Sequence, residues 1–336
     1  MSDLITLSLP DAQILATAAL MASKVSEVNA TATARALVAA EADGQKGHGL
    51  SRIPSYVAQA AAGKVDGFAT PTVVQVADAA IQVDGGLGFA YPAIDLALQA
   101  LAPLTHRTGV AMAAIRRSHH FGQAGAHAEK LAEKGLIALV FGNAPKAMPF
   151  WGGRAPAIGT NPIAFACPLP GGAPPLVIDL AMSVVARGKI LAAEQAGAAI
   201  PEGWAVDMDG RPTTDAAAAM KGAMLPIGGA KGSALALMVE ILAAALTGSA
   251  FGWEASSLFD AEGAPPNLGH SLIAIDPDRL SGGQFLSRMG VLLQAMEAED
   301  GVRLPGSSRL ADRARALERG VSIPLRLHRQ ITALAD

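Results

Sequence analysis

Apolar positions early in the chain recur at helical spacing. Ala34, Leu37, Val38 and Ala42 fall on one stripe, which carries a helix towards Asp43. The first forty residues read as helices, with Asp11 placed to cap one start and Asn29 or Thr31 another, each before an alanine- and leucine-rich run. Glycines at 44, 47 and 49 stop the second helix, so His48 falls on a loop or at the start of a new turn. From Thr72 the period shortens. TVVQVA, AAIQVDGG, GVAMAAI and GLIALVFGN read as strands, separated by helical stretches over Pro92 to Leu101 and Ala124 to Lys134. That alternation predicts a mixed α/β fold.

In IGTNPIAFACPLP, Ile163, Phe165, Cys167 and Leu169 alternate, and in PPLVIDLAMS Asp179 is the single charge of an apolar run. Two strands with polar residues at their ends make a natural site wall. HSLIAIDP reads as a further strand, SGGQFLSRMGVLLQAMEAE as an amphipathic helix, and LPGSSRLADRARALERG as a turn and closing helix. Gly232 to Trp253 has nearly the length of a membrane span, but Glu240 sits within it and Ala243, Ala244 and Ala245 suit close packing. A buried core helix is expected there, not a span.

Composition narrows the function classes. The 336 residues are 51% hydrophobic and 16% charged, which fits a compact globule of two domains rather than disorder. With 26 basic against 29 acidic residues, net charge -3, no basic run tracks a phosphate backbone, so neither nucleic acid nor membrane is an expected partner. A single cysteine, Cys167, leaves no disulfide framework, and Met1 to Pro10 lacks the basic and apolar regions of a signal peptide. A cytoplasmic protein is expected.

Candidate chemistry concentrates in two stretches. In GHGLSRIPSY, His48 lies between glycines with Arg52 four positions on. A partly exposed imidazole of neutral-range pKa suits proton transfer, and a guanidinium suits two-pronged binding of a carboxylate. A surface histidine and an ordinary surface salt bridge are the plainer readings. In RRSHHFGQAGAHAEK, His119, His120 and Gly122 stand between a predicted strand and helix, where backbone N–H groups meet phosphates. His127 reads as a helix-surface residue. Adjacent histidines point apart, no HExxH occurs and Cys167 is alone, so no metal site is expected. GxGxxG, a P-loop and GxSxG are all missing, which disfavours a Rossmann domain, an NTPase and a nucleophile-elbow hydrolase.

Several of these strings together resemble the type-2 malate/L-lactate dehydrogenase family of NAD(P)-dependent reductases. They include ADGQKGHGLSRIPSY, SHHFGQAGAHAEKLAEKGLIALVFGNA, GTNPIAFACPLP, DLAMSVVARGKI, PEGWAVDMDGRPTTD, GGAKGSALALMVEIL and LPGSSR. By that resemblance His48 is the proton donor, Arg52 and Thr160 contact substrate, and Asp179 orients or charges the site. The cofactor segments would be His120, Phe121, Gly122, Gln123 and Ala124; Asp179, Leu180, Ala181, Met182 and Ser183; Lys231 with Gly232; and Gly306, Ser307 and Ser308. The resemblance further implies a non-Rossmann NAD(P)-binding α/β domain over 76–277, a mainly helical domain from 1–75 and 278–336 that serves substrate binding and dimerisation, and a homodimer.

One position departs from the family. Members commonly carry serine directly before the catalytic histidine, in a relay assigned for the ketimine reductases, whereas this chain has Gly47. Hydride delivery to a ketone builds negative charge on oxygen, while an iminium carbon starts cationic, so a weakened relay is better tolerated by an imine. The sequence therefore leans towards reduction of Δ1-pyrroline-2-carboxylate or Δ1-piperideine-2-carboxylate to L-proline or L-pipecolate. NADPH is the expected cofactor, NADH the alternative, with Arg303, Arg309 and Lys189 as candidate readers of a 2′-phosphate. The alternatives are a 2-hydroxy-acid dehydrogenase of malate, lactate or sugar-acid type, and a dinucleotide-binding protein that has lost catalysis.

Overall fold

The computed structural model describes residues 3–335. Met1, Ser2 and Asp336, the outermost residues of the segments assigned above to the helical domain, lie outside them, as do the first two residues of the stretch read for a signal peptide.

The chain opens with strand β1 (Leu4–Leu7) and helices α1 (Leu9–Met21), α2 (Glu27–Ala42) and α3 (Ile53–Ala61). Strands β2 (Thr72–Ala77) and β3 (Ala80–Asp84), helix α4 (Ala90–Thr108), β4 (Val110–Ser118), α5 (Ala124–Ala132), β5 (Ile137–Gly142), β6 (Ile163–Cys167) and β7 (Leu176–Leu180) follow. A smaller unit comes next, with α6 (Arg187–Gln195), β8 (Ala205–Val206), β9 (Pro212–Thr213), α7 (Ala216–Lys221) and β10 (Ala223–Met224). The last third holds α8 (Ala230–Glu240), β11 (Leu268–Ile275), α9 (Pro277–Ser281), α10 (Phe285–Glu297), α11 (Ser307–Arg319), β12 (Val321–Pro324) and α12 (Leu325–Ala335).

Seven strands form one sheet in the order β2-β3-β4-β11-β5-β6-β7. Only β3 and β4 run parallel among these neighbours. β11, from far along the chain, fills the centre, and its alternation explains both layers. Leu272 and Ala274 join the core beneath α4 and α5, with Ile94, Leu101, Leu131, Ile115 and Val140, whereas Ile273 faces the cluster of Phe141, Val239 and Ala243 on α8's side. A second core brings the two ends of the chain together. Leu20, Leu37, Ile53 and Tyr56 pack with Val321, Ile323 and Ile331, and β1 pairs with β12 through Leu4↔Pro324 and Leu7↔Val321. β2 runs across residue 75, so the large sheet extends past the boundary drawn from sequence.

Several expectations need correction. The caps are Ser8 and Ser26, whose hydroxyls accept from Asp11 N and Asn29 N at 3.1 and 3.4 Å. Asp11 and Asn29 are the donors' own residues three positions on, and Asn29 spends its side chain on Gly67 O and Ala69 O. The first forty residues include the strand β1, and α11 is not the closing helix, because β12 and α12 follow it. The apolar run after Gly232 is not buried all round. Ala236, Val239, Glu240, Ala243 and Ala244 are buried, but Leu235, Leu237, Met238, Ile241 and Leu246 are exposed. A π-helical turn at Ile241–Ala245 ends the helix. Glu240 is tolerated inside because Asn161 Nδ2, Asn143 Nδ2 and Gly252 N all donate to it. No helix among the described residues is long and apolar enough to cross a membrane.

Candidate active site

The segment between α2 and α3 winds into two short 3-10 turns, Lys46–His48 and Leu50–Arg52. Glu41 Oε2 holds the second turn by accepting from Leu50 N at 2.9 Å. His48 is half-buried and its ring stacks on His120 at 5.2 Å and 21°. Burial, then the Arg52 charge, push its pKa down to about 4. The ring is therefore neutral at physiological pH, well below the range expected from sequence, and its Nδ1 meets no protein partner. Arg52 donates from Nε to Gly47 O at 2.7 Å.

Behind this pair lies a group that sequence reasoning missed. The chain has only two tyrosines, and both are here. The buried Tyr56 hydroxyl is hydrogen-bonded to His120 Nδ1 at 2.6 Å and lies 3.4 Å from the Tyr91 hydroxyl. Burial pushes the Tyr56 pKa up to about 12, with Arg52 and the Tyr91 contact opposing. Tyr56 closes the same ten-residue stretch that contains His48, but an apolar helix face hid it as an ordinary core aromatic. His119 and His120 do part company: His119 Nε2 bonds to Gln59 Oε1 at 2.8 Å. His127 is not on the surface as expected. It is buried, donating from Nε2 to Phe121 O at 2.7 Å.

The β4–α5 loop leads from His120 to a second group. Gly122 has φ +70°, and a Cβ there would meet the Tyr91 hydroxyl at 2.7 Å, so only glycine fits. Asp179 is exposed as a residue, yet its carboxylate is enclosed at the start of α5, with Oδ2 accepting from Gly125 N at 2.7 Å. Burial raises its pKa, while the Gly125 N–H and Arg309 pull the other way. Its partner is thus the α5 backbone rather than His48. Gly306, at φ +83°, lies against the same strand, its Cβ position 3.0 Å from Val177 O. Arg309 is not free to read a phosphate: it pairs with Glu129 at 2.7 Å and Asp43 at 3.1 Å, and Arg313 with the same two. Gln123 joins this buried ionic knot through Asp43 Oδ2. Arg303 and Lys189 are exposed.

A third group hangs on the backbone of Met182. Its N–H donates to Thr160 O and its carbonyl accepts from Ile227 N, each at 2.8 Å. Ser183 bridges to Pro226. These bonds draw Thr160, the Asp179–Ser183 strand end and the first turn of α8, with exposed Lys231, into one neighbourhood. Gly232 is required there, because a Cβ would lie 1.8 Å from Ile227 O. The side chains of Phe121 and Met182 are buried in core, so these two residues offer a ligand only their backbone.

A family model described as malate/L-lactate dehydrogenase matches residues 7–332. The chain belongs to the malate/L-lactate dehydrogenase family. Within that family it is 53% identical over 319 residues to the (2R)-3-sulfolactate dehydrogenase (NADP(+)) of Chromohalobacter salexigens, covering 95% of this chain and 94% of the relative. It is 43% identical over 303 residues to the Δ1-pyrroline-2-carboxylate/Δ1-piperideine-2-carboxylate reductase of Pseudomonas putida, covering 89% and 87%. Among solved structures, the Δ1-piperideine-2-carboxylate reductase from Pseudomonas syringae superposes with TM-score 0.92 at 39% identity, covering 98% of this chain and 99% of that one. The protein is an oxidoreductase acting on small molecules, with the mixed α/β fold of malate/L-lactate dehydrogenase structures.

The backbone fits a dinucleotide. Neither N-cap residue, Gln123 of α5 or Gly306 of α11, caps its helix with its own side chain, and although Asp179 takes the Gly125 N–H, other first-turn N–H groups remain for an anion. Glycines 122 and 306 permit close approach beside them, and buried Gln123 Oε1 meets no protein partner. At Gly47, the position where the sequence departs from the family pattern it resembles, a side chain would be tolerated. A Cβ there would meet nothing within 4 Å, and the backbone does not demand glycine.

Proposed function

We propose that this protein is an NADP-dependent 2-hydroxy-acid dehydrogenase that interconverts (2R)-3-sulfolactate and 3-sulfopyruvate. The observation that carries the reading is the neutral His48 beside Arg52. A neutral imidazole accepts the hydroxyl proton of a hydroxy acid, and Arg52 binds its carboxylate by charge-assisted hydrogen bonds. Substrate anions also offset the Arg52 charge, one of the two causes that depress His48, and so raise its pKa for the reductive direction. A substrate with both carboxylate and sulfonate does this twice over. The 53% identity to a sulfolactate dehydrogenase, spanning nearly the whole of both chains, supports the same substrate.

A bound nicotinamide would supply or accept the hydride at C2. His120 to Ala124, Leu180 to Ser183, Lys231 and Gly306 to Ser308 would hold the dinucleotide, and Asp179 keeps the start of α5 in place through Gly125 N. Tyr56 fixes the His120 ring on which His48 stacks. Thr160 would bring its hydroxyl to the substrate.

A second reading, reduction of a cyclic ketimine carboxylate, rests on Gly47 and on the 43% identical reductase. An iminium nitrogen carries its own proton and asks less of His48. Initial rates of NADPH and NADH oxidation with 3-sulfopyruvate, pyruvate, oxaloacetate and the two cyclic imines separate the readings. The expected kcat/KM with 3-sulfopyruvate and NADPH is about tenfold or more above every other pairing, the size of effect that one well-placed ion pair supplies. Imine turnover alone would move the protein to the second reading. Nicotinamide binding with no turnover on any of them would point to a protein that has lost catalysis.

A homodimer belongs to the same proposal. The exposed row Leu235, Leu237, Met238, Ile241 and Leu246 forms an apolar face of the kind that marks interfaces. Light scattering should give twice the 34.0 kDa chain mass, and Ile241→Glu should return the monomer.

A further inference from the structure

We propose that Phe259 is a positioning residue that sets affinity for the substrate's anionic group by fixing the Arg52 guanidinium. This rests on the reading of Arg52 as the carboxylate-binding residue. The guanidinium carbon lies 4.9 Å from the centre of the Phe259 ring, within the range of a cation–π contact. Arg52 Nε is used on Gly47 O. Among the described residues neither terminal nitrogen has a hydrogen-bond partner and no carboxylate pairs with the side chain. An arginine propped on an aromatic face with its outer fork unpaired is arranged to receive an anion.

The ring's position is itself enforced. Phe259 is 50% exposed, so core packing does not hold it. Its neighbours do. Lys64, whose side chain is 1% exposed, turns its ammonium onto Ser257 O at 2.7 Å, Asp260 O at 3.2 Å and Asp260 Oδ1 at 3.3 Å. Gln59 Nε2 donates to Leu258 O at 3.0 Å. Every residue flanking Phe259 is thus gripped by a buried side chain from α3 or the turn after it. Burying an ammonium is costly unless all its donors are used, and here they converge on one four-residue segment. Gln59 Oε1 also accepts from His119 Nε2, so the segment that carries Phe259 and the β4–α5 loop share one anchor.

The test compares Phe259→Leu, Phe259→Trp and Arg52→Met by steady-state kinetics with the best panel substrate and NADPH. Because the ring is exposed, its replacement leaves the core alone. Phe259→Leu should raise substrate KM about fivefold while kcat moves less than about twofold and NADPH KM holds, and Phe259→Trp should restore substrate KM, tryptophan being the best cation–π partner. A structural role alone would not split KM from kcat in this way. If Arg52→Met raises substrate KM but Phe259→Leu does not, the positioning role is wrong. If Arg52→Met leaves substrate KM in place, the carboxylate-binding reading itself falls, and this proposal with it.

Discussion

His48→Ala is expected to lower kcat about 10²- to 10⁴-fold, the usual worth of a positioned proton donor or acceptor. The substrate KM should move far less, because the proposed function gives the anion to Arg52 rather than to His48. The residue is half-buried in a short 3-10 turn, so loss of its ring removes stacking on His120 without opening a core cavity. The far-ultraviolet circular dichroism and the NADPH KM should match the parent. A pH profile adds a second readout. In the oxidative direction the base must be neutral, and with a pKa near about 4 in the free protein it is neutral throughout the physiological range. kcat/KM for the alcohol should therefore stay level on the acid side and fall only as pH approaches that value. A variant retaining more than about a fifth of the parent kcat, far short of the loss expected for such a group, would remove His48 from the chemistry.

The break after α2 was legible because its stretch is short and self-contained: glycines at 44, 47 and 49 stop the helix, and His48 and Arg52 fall in the short turns that follow. The strands were legible for the same local reason, since alternation in TVVQVA or HSLIAIDP needs no partner to be seen. What stayed hidden depends on distance along the chain. The pairing of β1 with β12 joins residues more than three hundred positions apart, and LITL alone is too short to declare itself a strand. The knot of Asp43, Glu129, Arg309 and Arg313 joins three helices, so Arg309 reads as a free cation until its partners are placed. Phe259 is hidden in the same way, because its meaning comes from Lys64 and Gln59, nearly two hundred residues earlier. The apolar run around α8 was read as a buried core helix because sequence hydropathy does not distinguish a buried helix face from an exposed one.

The buried histidines give the second large effect. His119, His127 and His270 each donate from Nε2 to a protein oxygen, at Gln59, Phe121 and His119 respectively. In each the Nδ1 is buried without a partner. Protonation would place a second N–H where nothing accepts it, and burial accordingly pushes these rings down to about 3, about 4 and about 3, with His120 also lowered. The sign follows directly. A lowered folded pKa means that below the ordinary value of 6.5 the unfolded chain binds protons that the native state refuses, so stability is full above that value and is lost as pH falls towards the folded values. Between about pH 7 and about pH 5.5 each such ring should cost about 1 kcal/mol, and together several, against a typical total of about 5–15 kcal/mol. Glu41, Asp179 and Glu240, raised by burial, take up protons in the folded state and offset part of this at the acid end. Urea unfolding across that range should show the decline. His127→Gln keeps the donor to Phe121 O and removes the titration, so its decline should be shallower by about 1 kcal/mol. An identical decline in parent and variant would mean that His127 takes up its proton within the fold.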